Sequence, residues 1–187
     1  NCTRIPQTNE YNDEIISEVF GTTHYLEEGA EESTILGVKS ITFGSGVTNI
    51  PQFLCQYNDL ITSVTLPSSV KSIENYAFGS CYNLSQVTLG GNEESIHPEA
   101  FRDTPWWNSY YENLSDGPVY LGKSLVGYKG EMPENTTLIV KEGTTAIADN
   151  VFNYENRPEN LVAITFPESL KEIGESAFSC CKGEQVT

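Results

Sequence analysis

The chain has 187 residues, 26 acidic against 10 basic side chains and a formal net charge of −16. That balance repels phosphate backbones and anionic headgroups, which argues against nucleic acid and membrane surfaces as partners. No apolar run approaches the length that crosses a bilayer, so no membrane insertion is expected in this segment, and no secretory leader is legible; a processed leader or a truncation would account for the start at Asn1 without methionine.

In chain order, residues 1–35 read as an N-terminal segment with a short capping helix. Asn12 is placed to cap it, Ile15, Ile16, Val19 and Phe20 give it one apolar face, and Gly21 ends it. Such a helix would cover the first repeat. The run Glu27-Glu28-Gly29-Ala30-Glu31-Glu32 reads as a solvated acidic loop, because no cation-ligand spacing is present.

From residue 36 to 187 the sequence repeats. Ser-Val-Thr-Leu-Pro at 63–67 returns as Gln-Val-Thr-Leu at 86–89 and as Ala-Ile-Thr-Phe-Pro at 163–167. Val64 and Val87, Leu66 and Leu89, Ile73 and Ile96, Ala77 and Ala100, and Phe78 and Phe101 are each 23 residues apart, and Ile41 lies 23 before Val64. A looser first unit holds Ile41, Phe43, Val47, Ile50, Leu54 and Ile61, with Cys55 where phenylalanine is expected. Later units hold Leu138, Val140, Ile147, Val151 and Phe152, then Leu161, Ile164, Phe166, Leu170, Ile173, Ala177, Phe178 and Cys181, the excess length between them looping out near Asn156-Arg157-Pro158. Phe101 to Phe152 spans 51 residues, so an insertion of about 104–136 interrupts the array. Within it, Val119-Tyr120-Leu121 can pair with Leu125-Val126-Gly127-Tyr128 around Gly122-Lys123-Ser124, a hairpin that the tryptophans upstream would pin to the repeats.

Each unit has a short period-two stretch, with Val64 and Leu66 inward and Ser63 and Thr65 outward, which fits a strand with one buried face. Proline at 67 and 167 then stops it. Val70, Ile73, Ala77 and Phe78 recur every three or four residues, which suits an irregular or helical-turn return. No unit can bury its apolar face alone, so stacking neighbours supply the cover and the array is a repeat solenoid, counted as one structural domain.

The pattern Leu-x-x-Ile-x-Leu-Pro-x-x-Val-x-x-Ile-x-x-x-Ala-Phe-x-x-Cys, from about Leu36 to Cys181, closely resembles the leucine-rich repeats of the BspA-like class, found in large surface proteins of gut and oral bacteria and some protozoa. The resemblance implies a right-handed curved leucine-rich repeat array with a parallel β-sheet on one face, irregular or short-helical return segments and the inserted β-hairpin. It also implies a cell-surface or extracellular location. Ser179-Cys180-Cys181 ends a turn with no following strand, which reads as the last part, or an excerpt, of a longer array.

Two groups of side chains are candidate ligand-binding sites. Outward on the strands stand Ser40 and Thr42, Ser63 and Thr65, Gln86 and Thr88, and Thr165, rows of short polar groups broken at Ile139. They suit a neutral glycan or protein surface, although threonine is also favoured on exposed strands for its own sake. In the insertion, Trp106, Trp107, Tyr110 and Tyr111 fall in one loop; they can stack on sugars, anchor a protein, or reinforce the fold. The two histidines, His24 and His97, lie in no metal or nucleophile pattern, and Asp103, Glu112 and Asp116 give only weak support for a glycosidase. Cys2, Cys55, Cys81, Cys180 and Cys181 show no Cys-x-x-Cys; Cys81 and Cys181 share a repeat position and read as buried thiols meeting loop backbone. No catalytic residue, metal site or cofactor is expected. Asn-x-Ser/Thr triplets at Asn1, Asn83, Asn113 and Asn135 are expected to be unmodified in a bacterial protein. The expected function is a non-enzymatic interaction or adhesion module for host proteins or glycans; the alternative is a spacer with no ligand of its own. Oligomeric state is not legible.

Overall fold

The computed structural model describes residues 38–152, 160–179 and 181. The expected capping helix, the acidic loop, the loop at Asn156-Arg157-Pro158, and Cys2, Cys180 and His24 lie outside the described residues. The chain forms two compact units. The first runs to Asn92 and takes in Glu99–Asn113; the second is Glu93–Pro98 with Leu114 onward.

The first unit carries β1 (Ser40–Thr42), β2 (Asn49–Ile50), β3 (Ser63–Thr65), β4 (Ser72–Ile73), β5 (Gln86–Thr88) and helix α1 (Pro105–Glu112). Strands β1, β3 and β5 pair in parallel, with Ile41 opposite Val64 and Val64 opposite Val87, so the 23-residue register of the sequence is the register of the sheet. Ile41 and Val64 are buried while Thr42, Thr65 and Thr88 are exposed, as period-two alternation requires. A second parallel ladder pairs β2 with β4, stacking Ile50 on Ile73.

The return segments are irregular, and the hydrogen bonding gives the reason. A helical turn would spend its N–H groups on itself; here they reach the next coil. Glu74 N–H donates to Ile50 C=O at 2.9 Å, Cys55 N–H to Ala77 C=O at 2.8 Å, Phe78 N–H to Ala100 C=O at 2.8 Å and Ser80 N–H to Arg102 C=O at 2.7 Å. The tight turns between these bonds hold Tyr76 (φ 48°) and Ser80 (φ 56°) in the left-handed region. Phe78 is fully buried, stacked on Phe101 at 5.4 Å with Phe43 edge-on at 6.4 Å.

Where the strand stops, the three coils place Gly44, Pro67 and Gly90 at one repeat position. A Cβ on Gly90 would run into the Pro67 carbonyl, whereas one on Gly44 would meet nothing within 4 Å. Glycine at 90 is thus a condition of close backbone approach.

The second unit carries β6 (Ser95–Ile96), β7 (Gly117–Leu121), β8 (Ser124–Lys129), β9 (Thr136–Ile139), β10 (Ala146–Ile147), β11 (Leu161–Thr165) and β12 (Glu172–Ile173). Strands β9 and β11 pair in parallel with a bulge between Leu161 and Ala163. The inserted hairpin is β7–β8, antiparallel across a Gly122–Lys123 turn with Gly122 at φ 58°. It is built into the fold through backbone bonding, since β8 pairs in parallel with β10, which pairs in turn with β12. The Ser124 hydroxyl accepts from Ile96 N–H at 2.8 Å, Lys123 N–H donates to Glu93 C=O at 3.1 Å, and the Thr145 hydroxyl donates to Glu94 C=O at 2.6 Å. These bonds bring the Glu93–Pro98 segment into the second unit.

Candidate functional site

In the first unit the outward strand positions form two rows. Ser40, Ser63 and Gln86 are in register, and so are Thr42, Thr65 and Thr88. Parallel strands lie about 4.8 Å apart, so each row spans roughly 10 Å. The Ser63 hydroxyl bonds the Ser40 hydroxyl at 2.9 Å, and the Thr62 hydroxyl donates to the Lys39 carbonyl at 3.0 Å. No charged side chain interrupts the rows. The face thus offers evenly spaced donors and acceptors to a neutral polar partner.

Thr165 belongs to the second unit, on β11, where its register partner is Ile139. Ile139 is 72% exposed and Val162, on the bulge of β11, is 46% exposed. Thr137 and Ala163 pair beside them. The seven strand-face residues therefore sit in two different settings, six on a hydroxyl and amide face and one beside exposed aliphatic groups.

The four aromatic residues read as a loop lie instead on α1. Thr104 caps its N-terminus, its hydroxyl accepting from Trp107 N–H at 3.1 Å and donating to Phe101 C=O at 2.8 Å, and Pro105 occupies the first turn. Thr104 stands at the repeat position of Asn58 and Cys81, 23 residues apart in each step. At Asn58 the side-chain oxygen accepts from Leu60 and Ile61 N–H, and the chain goes on into β3; at Thr104 the same position starts a helix. A threonine followed by proline was the available signal, masked by the poor helix propensity of aromatic residues.

Trp106 packs edge-on against Phe101 at 4.8 Å and stacks on Tyr110 at 5.7 Å. Trp107 lies between Tyr110 at 5.7 Å and Tyr111 at 5.9 Å. What Trp106 fastens is α1 itself, onto the core phenylalanine of its own unit. Burial pushes the Tyr110 phenol upward. Each of the four rings is half-buried against another.

Cys55 and Cys81 are free and fully buried. The Cys81 thiol donates to the Cys55 carbonyl at 2.9 Å, and burial pushes it up to about 12. Burial, with Cys81 beside it, also raises Cys55. Both are thereby removed from nucleophilic chemistry at neutral pH. His97 Nε2 lies 3.5 Å from Asp149, and Arg102 reaches Glu99 at 2.7 Å and Asp103 at 3.8 Å. Among the described residues there is no group of three or more metal-ligating side chains, and no helix is long and apolar enough to cross a membrane.

The sequence matches the family described as the BspA type leucine rich repeat region, in 6 copies, over residues 31–113 and 131–187. The chain belongs to the BspA-type leucine-rich repeat family. The gap between the matched stretches falls on the hairpin β7–β8. No curated protein matches the chain. Among solved structures it is similar to a leucine-rich repeat protein of T. pallidum (23% identity, TM-score 0.39, covering 79% of this chain and 57% of that one). It is also similar to a leucine-rich repeat protein from Eubacterium ventriosum (16%, 0.36, 75% and 51%) and a leucine rich cell surface protein from Faecalibacterium prausnitzii (19%, 0.31, 76% and 48%). The chain spans about half the length of these structures.

Proposed function

We propose that this chain is a non-enzymatic interaction module of a cell-surface or secreted protein, and that the hydroxyl and amide face of β1, β3 and β5 is its principal contact surface for host proteins or glycans. The observation that carries the reading is the pair of uncharged rows in sheet register, Ser40, Ser63, Gln86 and Thr42, Thr65, Thr88, on a chain of net charge −16. Keeping charge off one face of so acidic a chain removes the desolvation cost that a buried carboxylate would add on binding. The surface location rests on the family resemblance. The half-buried rings of α1 serve the fold, their faces being taken by one another and by Phe101.

The test is binding of the purified chain to an array of host glycans and extracellular-matrix proteins, beside a Thr65→Arg, Thr88→Arg double variant. A saturable hit abolished in the variant supports recognition through this face. Silence across the array, or a hit that the variant retains, removes the face as the site; silence leaves the spacer role.

A further inference from the structure

From the exposed aliphatic groups of β9 and β11 we infer a second interaction surface, on the second unit, that takes a basic protein segment with aliphatic side chains. The inference rests on the reading of the chain as an interaction module, but on a different face and a different partner chemistry.

Ile139 and Val162 are the observation. At 72% and 46% exposed they stand outward on a two-stranded sheet whose inward residues, Leu138, Leu161 and Ile164, already fill the core. An outward position favours threonine on solvation grounds, and the first unit has threonine at 42, 65 and 88. In register with Thr165, position 139 is isoleucine. An exposed aliphatic side chain offers a glycan neither a hydrogen bond nor a flat ring, whereas a protein partner buries it against aliphatic groups of its own.

Charge selects among protein partners. Within the described residues of the second unit there are ten carboxylates against four lysines; in the first unit there are five carboxylates against three bases. Glu134 before β9, Glu142 after it and Glu168 after β11 bracket the two strands in sequence. All three are exposed, and none has an ion-pair partner among the described residues. Lys171 is engaged by Glu94 at 2.8 Å, Lys129 donates to the Leu114 carbonyl at 2.6 Å, and Lys141 lies 5.9 Å over the Tyr120 ring. The field at these strands is therefore set by carboxylates, which attract lysine and arginine and repel an acidic segment.

Three short blocked peptides of equal length test this by titration calorimetry: alternating lysine and leucine, alternating glutamate and leucine, and alternating lysine and serine. The lysine–leucine peptide is expected to bind saturably, and each of the others at least about tenfold more weakly. Ile139→Thr, which leaves charge unchanged and restores the residue type of the other strands, should weaken the lysine–leucine peptide by about tenfold. Thr65→Arg with Thr88→Arg should leave it unaffected. Equal binding of the lysine–serine peptide, or indifference to Ile139→Thr with native circular dichroism, means diffuse charge attraction and overturns the inference; so does absence of binding. Because the array experiment reads the β1–β3–β5 face and the peptides read β9–β11, either proposal can fail while the other stands.

Discussion

The two units treat the same repeat differently. In the first, every strand follows the last by 23 residues, and both ladders advance one rung per coil. In the second, the ladder of β10 and β12 gains a rung from β8, a strand that belongs to no repeat. Its other sheet has two strands only. The lesson is that a rung is defined by backbone hydrogen bonds and buried volume. Leu125 lies opposite Ile147 as Ile50 lies opposite Ile73, although only Ile50, Ile73 and Ile147 sit in the repeat pattern. The outward residues carry no such constraint, and there the units diverge into hydroxyl and aliphatic faces.

The comparison can be broken most forcefully at the phenylalanines. Phe78→Ala should cost about 3–5 kcal/mol in urea denaturation, as expected for a fully buried ring. Phe178→Ala, at the same repeat position but half-buried, should cost clearly less. Equal losses would mean that the last coil is as well covered as the middle ones. Next come the glycines. Gly90→Ala drives a methyl into the Pro67 carbonyl, and Gly174→Ala drives one into Asp149; each should cost about 1–3 kcal/mol. Gly44→Ala has open space and should be neutral or stabilising by about 0.5 kcal/mol.

A smaller effect separates the cysteines. The Cys81 thiol sits at about 12 when folded and at 9.0 when free. A folded value raised above the unfolded one gives stability that is intact below pH 9.0 and is lost as pH rises toward 12. The slope is about 1.4 kcal/mol per pH unit. Cys81→Ala should flatten the stability profile above pH 9.0, and peptide mapping at pH 8 should show half-buried Cys181 alkylated before Cys81. The smallest effect is expected on the strand face, where Thr65→Arg and Thr88→Arg should each change stability by no more than about 0.5 kcal/mol. A larger loss would make those rows structural.

How much of this was legible depends on how each element announces itself. Ile41, Val64 and Val87 declare their pairing through a fixed spacing, and Cys81 its burial through recurrence at Cys181. The second ladder does not declare itself, because strands of two residues such as Ser72–Ile73 are too short to show alternation. The hairpin could be read from Val119 to Tyr128, but not its pairing with Ala146–Ile147, since parallel neighbours leave no local mark. Helix α1 was hidden by its composition, despite the threonine–proline start. For the candidate site, alternation placed the outward residues; the contrast between Thr165 beside Ile139 and the rows of the first unit required the register.

The turns that follow the second ladder bear on how longer arrays might be built from this chain. Tyr76, Asn150 and Ser176, each two residues before a core phenylalanine, hold φ of 48°, 53° and 54°, and Tyr57, Ser80 and Asp103 hold 61°, 56° and 59° one turn later. A side chain other than glycine or asparagine pays roughly 1–2 kcal/mol for that conformation. A consensus unit with asparagine or glycine at both positions would therefore gain stability in every copy without altering one core contact. Multiplied along an engineered array, the increment grows with length, and it leaves the strand face free to be rewritten for binding.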